Sequence, residues 1–133
     1  MKNGVKLEVS VGTSDVVHVT IGGNLEARHL PKFAEWAQKV KETIKSLFDK
    51  KGERVLCLID ISELHQYDAE VVTQLVALMK ENEPYVLRTA TFGGTQYMIM
   101  AEDVVVALSG RKNLKGFRNK EEAIEWLLHG EAE

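Results

Sequence analysis

The 133-residue chain is predicted to fold as a mixed α/β domain. Its sheet is expected to be mostly parallel and five-stranded, with about four helices, in the order β-β-α-β-α-β-α-β-α. Three observations carry this prediction. The first two dozen residues alternate apolar and polar with the period of a strand. Val55 to Ile59 form an unbroken apolar run. Between the remaining strand-like segments lie stretches with the three- and four-residue spacing of helices, and regular helix–strand alternation requires crossovers that make neighbouring strands parallel.

Val5, Leu7, Val9 and Val11 alternate with Lys6, Glu8 and Ser10, and after the turn cluster Gly12 to Asp15 the pattern resumes at Val17, Val19 and Ile21. Two such runs joined by a short turn predict an antiparallel hairpin. Gly22-Gly23-Asn24 is expected to stop the second strand. Phe33, Trp36, Ala37, Val40, Ile44, Leu47 and Phe48 then form one apolar stripe on a long helix, with Pro31 suited to its first turn and Gly52 to its exit.

Val55-Leu56-Cys57-Leu58-Ile59 has no alternation, which is what a strand buried on both faces requires. Asp68 precedes Val71, Val72, Leu75, Leu78 and Met79 and is the expected N-cap of a second helix ending near Glu83, ahead of Pro84. Tyr85 to Phe92 predicts the next strand, closed by Gly93-Gly94. Tyr97, Met100, Ala101, Val104 and Leu108 predict a third helix, and Leu114 to Phe117 a short last strand. Asn119-Lys120-Glu121-Glu122 resembles a capping box ahead of Ala123, Trp126 and Leu127, with Gly130 ending that helix. No repeat or linker divides the chain, so residues 1–133 are taken as one domain.

Composition narrows the function. A net charge of −3 argues against an electrostatic nucleic-acid binder. No apolar run approaches the ~20 residues of a membrane span, and Met1-Lys2-Asn3-Gly4 leads into no hydrophobic signal stretch. The expected location is cytoplasmic. The single cysteine excludes an internal disulfide and a thiolate zinc site. His18, His29, His65 and His129 form no HxH or HExxH pair, so neither a metal nor another cofactor is expected.

Open α/β sheets bind ligands at the carboxyl ends of their parallel strands. Three groups of residues fall there or beside it. The stretch Asp60 to Glu70, with Asp60, Ser62, His65, Asp68 and Glu70, is the most polar segment next to a buried strand and is read as a partner- or ligand-binding loop. A hydrolase using Ser62, His65 and Asp68 would need these groups brought within hydrogen-bond reach around an oxyanion site; nothing in their spacing enforces that, and no nucleophile-elbow pattern is present. Gly93, Gly94 and Thr95, between a strand and a helix start, could offer bare N–H groups to an anion, although a turn with a Thr cap accounts for them more simply. Tyr97, Met98 and Met100 are apolar on more than one helix face, which suits a buried helix, the wall of an apolar pocket or a dimer contact.

The order of elements and the stretch Asp60 to Glu70 resemble the STAS domain family, named for sulfate transporters and anti-sigma-factor antagonists. In that family a buried strand ends in a motif similar to Asp-x-Ser-x-Val-x-x-x-Asp-Ser-Ser-Gly; here Asp60, Ser62, Leu64 and Asp68 stand in that register. The ending Phe117-Arg118 with Glu122-Ala123-Ile124-Glu125-Trp126-Leu127 is similar to the close of the stand-alone SpoIIAA-like branch, of STAS/SEC14 type. The resemblance implies a SpoIIAA-like fold and a non-enzymatic module that binds a protein partner or a small apolar or anionic ligand. Antagonists of the family are switched by phosphorylation of a serine at the start of that helix. Ala69 and Glu70 occupy the two serine positions here and Val71 the glycine, so no phospho-switch is expected. A SEC14-like carrier or sensor of a lipid or other apolar ligand, with or without membrane association, is the alternative, and a homodimer through a helix face or the hairpin's edge strand is compatible with either.

Overall fold

The computed structural model describes residues 5–93 and 113–130. The opening alternation forms the hairpin: β1 (Lys6–Val11) and β2 (Val16–Leu25) pair antiparallel, in unbroken register from Lys6 opposite Gly22 to Val11 opposite Val17. The helical stripe forms α1 (Leu30–Lys51), with Pro31 in its first turn. Gly52 ends it at φ 75, a left-handed conformation in which its N–H donates to the Phe48 carbonyl at 2.8 Å. The apolar run forms β3 (Val55–Asp60), which lies in the middle of the sheet with parallel neighbours on both sides.

β4 (Leu64–Tyr67) follows, then α2 (Ala69–Asn82), β5 (Val86–Phe92), β6 (Leu114–Phe117) and α3 (Lys120–His129). The main sheet runs β1-β2-β3-β5-β6, and β4 pairs with the end of β2. The α/β class and the mixed, mostly parallel sheet are those the sequence predicts, whereas in the order of elements β4 stands between β3 and α2, where the sequence predicts no strand. The strand count differs accordingly: six strands are present among the described residues rather than five. The third predicted helix, over 97–108, lies outside the described residues.

The additional strand and a misplaced strand end have one cause. β2 does not stop at Gly22-Gly23-Asn24 but continues through them to Leu25. A Cβ on Gly22 would stand 3.2 Å from the Glu63 Cβ, so the glycine lets the following loop approach. Gly23, at φ 90, marks an irregularity in the β2–β4 pairing and donates its N–H to the Glu63 carbonyl at 2.8 Å. The glycines therefore admit a neighbour instead of ending a strand.

Each face of the sheet has its own core. Val17, Val19, Ile21, Val55, Cys57, Ile59 and Val86 pack beneath α1 and α2, whose buried stripe is Phe33, Trp36, Val40, Ile44, Leu47, Val71, Leu78 and Met79. On the opposite face Val16, Leu58, Ala90 and Phe92 meet Ala123 and Leu127 of α3. Arg88 fastens that helix, donating from Nε and Nη2 to the Leu127 carbonyl at 3.1 and 2.9 Å.

Candidate functional site

The polar stretch begins where β3 leaves the interior. Ile59 and Ile61 are each 6 % exposed, whereas Ser62 and Glu63 are exposed. The chain turns sharply there, and Asp60 makes the turn: its Oδ1 accepts from the Ser62 backbone N–H at 2.8 Å and from the Ser62 hydroxyl at 2.6 Å. An Asp side chain bonding the backbone two residues on substitutes for a backbone turn. Ile61 donates to the Phe92 carbonyl at 3.1 Å, tying the loop to the end of β5.

Gly93 seals the other side. Its φ is 88, and a Cβ there would lie 2.6 Å from the Ser62 Cβ and 2.9 Å from the Ser62 Cα. Both the backbone angle and the contact exclude a side chain. Gly93 is thus placed as a packing surface for Ser62. Gly94 and Thr95, the other members of the candidate anion site, lie outside the described residues, as do Tyr97, Met98 and Met100 of the candidate pocket wall.

Asp68 occupies the position before α2, with extended backbone, but its carboxylate makes no capping bond to that helix. Instead Oδ2 accepts from the Ala27 N–H at 2.8 Å, while the Asp68 N–H donates to the Leu25 carbonyl at 2.9 Å. The expected N-cap is therefore a clasp between the start of α2 and the end of β2. The side chain reaches an orphan donor of the 3-10 turn Ala27–His29 in place of its own helix's N–H groups. Asn119, predicted the same way, does cap α3, accepting from the Glu122 N–H at 2.9 Å.

The candidate residues accordingly divide. Asp60, Ser62 and Gly93 form one compact corner. His65 is exposed on β4, and Glu70 is exposed in the first turn of α2. Ser62, His65 and Asp68 do not form a relay: the Ser62 hydroxyl is bound to Asp60, Asp68 holds Ala27, and among the described residues no hydrogen bond joins His65 to either. Two participants carry no signal in the sequence: Ala27, which contributes only a backbone N–H, and Glu63, whose carbonyl holds Gly23 and whose carboxylate faces Lys6 at 3.7 Å.

Two spaces adjoin these elements. Between the sheet and α2, the described residues Ile21, Leu25, Phe33, Ile61, Val71 and Leu75 border an apolar space of about 70 Å³, well short of the ~300 Å³ at which pockets hold a drug-sized ligand. An open cleft of about 950 Å³ runs beside β6 and α3, between Arg88, Phe117, Glu122 and Trp126; none of the described candidate residues lines it. No helix among the described residues is long and apolar enough to cross a membrane, and no described cluster of His, Cys, Asp or Glu could hold a metal.

The hairpin leading into helix–strand alternation, with a polar loop after the central strand, defines a SpoIIAA-like fold. Solved structures share it. An uncharacterized protein of the DUF3478 family from Shewanella loihica, described as having a SpoIIAA-like fold, superposes with a TM-score of 0.63 over 93% of this chain and 94% of its own, at 19% identity. The anti-sigma factor antagonist SpoIIAA in its unphosphorylated form matches with a TM-score of 0.59 at 15% identity, over 93% of this chain and 99% of that one. The Bacillus cell fate determinant SpoIIAA in its phosphorylated form gives 0.55 at 18% identity, over 90% and 97%. Neither a protein-family model nor a curated protein matches the sequence.

Proposed function

We propose that this chain is a non-enzymatic, STAS-type docking module. It engages a protein partner through the rim formed by Asp60, Ser62, His65, Asp68 and Glu70, and it is not switched by phosphorylation at the start of α2. The observation that carries this is the Asp60–Ser62 turn. A hydroxyl held at 2.6 Å by a carboxylate and backed by Gly93 is part of a fixed surface, and the two positions where an antagonist of this fold would carry serine hold Ala69 and Glu70.

The rim also has a consistent sign. Asp60, Glu63, Asp68 and Glu70 put four carboxylates around the loop and the N-terminus of α2, where the helix dipole favours negative charge. A basic surface on the partner is the complement, and charge of this kind sets encounter rate and orientation more than final affinity. Glu70 gives a fixed charge, smaller than the ≈ −1.5 to −2 of a phosphoserine.

Native mass spectrometry on the protein isolated from its own cells tests the reading. The expected result is a retained protein partner that is lost from a Glu70→Arg variant, with no phosphate on the peptide Asp68 to Thr73. A co-purified apolar molecule without a protein partner would favour a carrier instead, and a phosphate on that peptide would remove the claim that the switch is absent.

A further inference from the structure

β1 ends the sheet, and among the described residues no strand pairs with its outer side. The phase of its hydrogen bonds follows from the turn. The Gly12 N–H donates to the Val16 carbonyl at 2.9 Å, so the pairs Ser10/His18, Glu8/Thr20 and Lys6/Gly22 also direct their backbone groups at β2. The backbone groups of Leu7, Val9 and Val11 therefore point outward. The strand has neither proline nor bulge to blunt this edge: its register with β2 is regular over all six pairs. Val11, at its end, is 46 % exposed.

We propose that the chain self-associates by antiparallel pairing of β1 with β1 of a second copy, about a two-fold axis through Leu7. A one-residue slip would set side chains of the α1 side opposite those of the solvent side, so only registers centred on a residue pairing like with like are admissible. Centring on Glu8 sets Glu8 directly against its own copy. Centring on Val9 sets Glu8 against Ser10. Centring on Leu7 sets Lys6 against Glu8 twice, once on each side of the axis, and sets Leu7 against Leu7 and Val5 against Val9 on the α1 face. In that register the backbone groups of Leu7 meet their symmetry mates as a hydrogen-bonded pair. Lys6 and Glu8 then fall in the closer, non-hydrogen-bonded pairs, where side chains interact most.

Lys6 is available for this role. Its contact with Glu63 is 3.7 Å between side chains 44% and 63% exposed, a pair that holds little free energy. Because the two-fold axis stands perpendicular to the sheet, the dimer keeps both α1 helices on one face of a continuous sheet and sets the two Asp60–Ser62 corners at opposite ends of its strands. The association depends only on the edge, and it can fail while the docking rim still binds its partner.

Sedimentation equilibrium on the full chain, with Lys6→Glu, Glu8→Lys and the double exchange K6E/E8K, tests the register. The wild type is expected to dimerise below about 1 mM. Each single reversal, which puts like charges opposite one another twice, should weaken association by about tenfold or more, and the double exchange should restore it. Both side chains are exposed, and circular dichroism confirms that each variant is folded. A wild type that stays monomeric to about 1 mM overturns the proposal. So does a dimer indifferent to both single reversals, which would belong to another register or another surface.

Discussion

The two faces of the sheet are built on different terms. Beneath α1 and α2 the surface is apolar from β1 to β3, with Leu7, Val9, Val19, Ile21, Cys57 and Ile59 in one core, and β5 adds the buried Thr89 and Thr91 beside it. Among the described residues the opposite face is apolar where α3 lies, over Val16, Leu58 and Ala90. Away from α3 the same strands present Lys6, Glu8, Ser10, Thr20 and Asp60, while His18 lies beside Lys120 at the start of that helix. An antiparallel pair tolerates a wet face, whereas parallel strands are normally covered on both. The boundary runs along β3 between the buried Leu58 and the half-buried Asp60, where a polar side chain takes over on that side of the sheet and the candidate site begins.

Substitutions can break this asymmetry. Leu58→Ala, at 2 % exposure under α3, should cost about 3 kcal/mol in urea unfolding, with transfer and cavity terms adding. Thr20→Ala, on the wet part of the same face, should change stability by no more than about 0.5 kcal/mol. Equal losses would mean that the wet half is covered.

Two glycines sharpen the boundary further. Gly93→Ala meets both a positive φ and the Ser62 backbone, and should destabilise by about 2–3 kcal/mol while freeing the Asp60–Ser62 turn. Gly52→Ala has a similar φ but nothing within 4 Å, and should cost about 1 kcal/mol. Thermal unfolding of the pair separates strain alone from strain with collision.

A smaller effect distinguishes the two helix starts. Asn119→Ala should lose about 1 kcal/mol as α3 loses its cap. Asp68→Ala should instead accelerate amide exchange at Ala27 and leave the first turn of α2 little changed, because its carboxylate serves the earlier segment.

The smallest effect concerns the half-buried His18, beside the start of α3. Burial and then the neighbouring Lys120 ammonium lower its pKa from the ordinary 6.5. The folded chain therefore binds a proton less readily than the unfolded one. Stability is full above 6.5 and declines as pH falls from there toward the lower folded value. A series of melts from neutral to mildly acid pH should show this slope, and His18→Gln should flatten it.

The elements legible in the sequence are those decided within their own segment. The stripe from Phe33 to Leu47, the unbroken run of β3 and the cap at Asn119 each bring their pattern and their partner within a few residues, and the structure has them as predicted. What was not legible depends on distant backbone. The extension of β2 to Leu25 needs bonds from Glu63 and Asp68, and the His65-Gln66 pair at the centre of β4 lacks the alternation of a half-buried strand. Asp68 chose a donor 41 residues away over its own helix. The polar composition of Asp60 to Glu70 indicated a surface; the contact of Gly93 on Ser62 required the fold.

The account rests on the rim after β3 acting as a fixed docking surface. Titration of the partner recovered with the wild type against Glu70→Arg and His65→Ala measures this most directly. Charge reversal at Glu70 should weaken binding at least tenfold, about 1.4 kcal/mol, with affinity falling as salt rises. Binding indifferent to Glu70, or a chemical turnover abolished by His65→Ala, would contradict it.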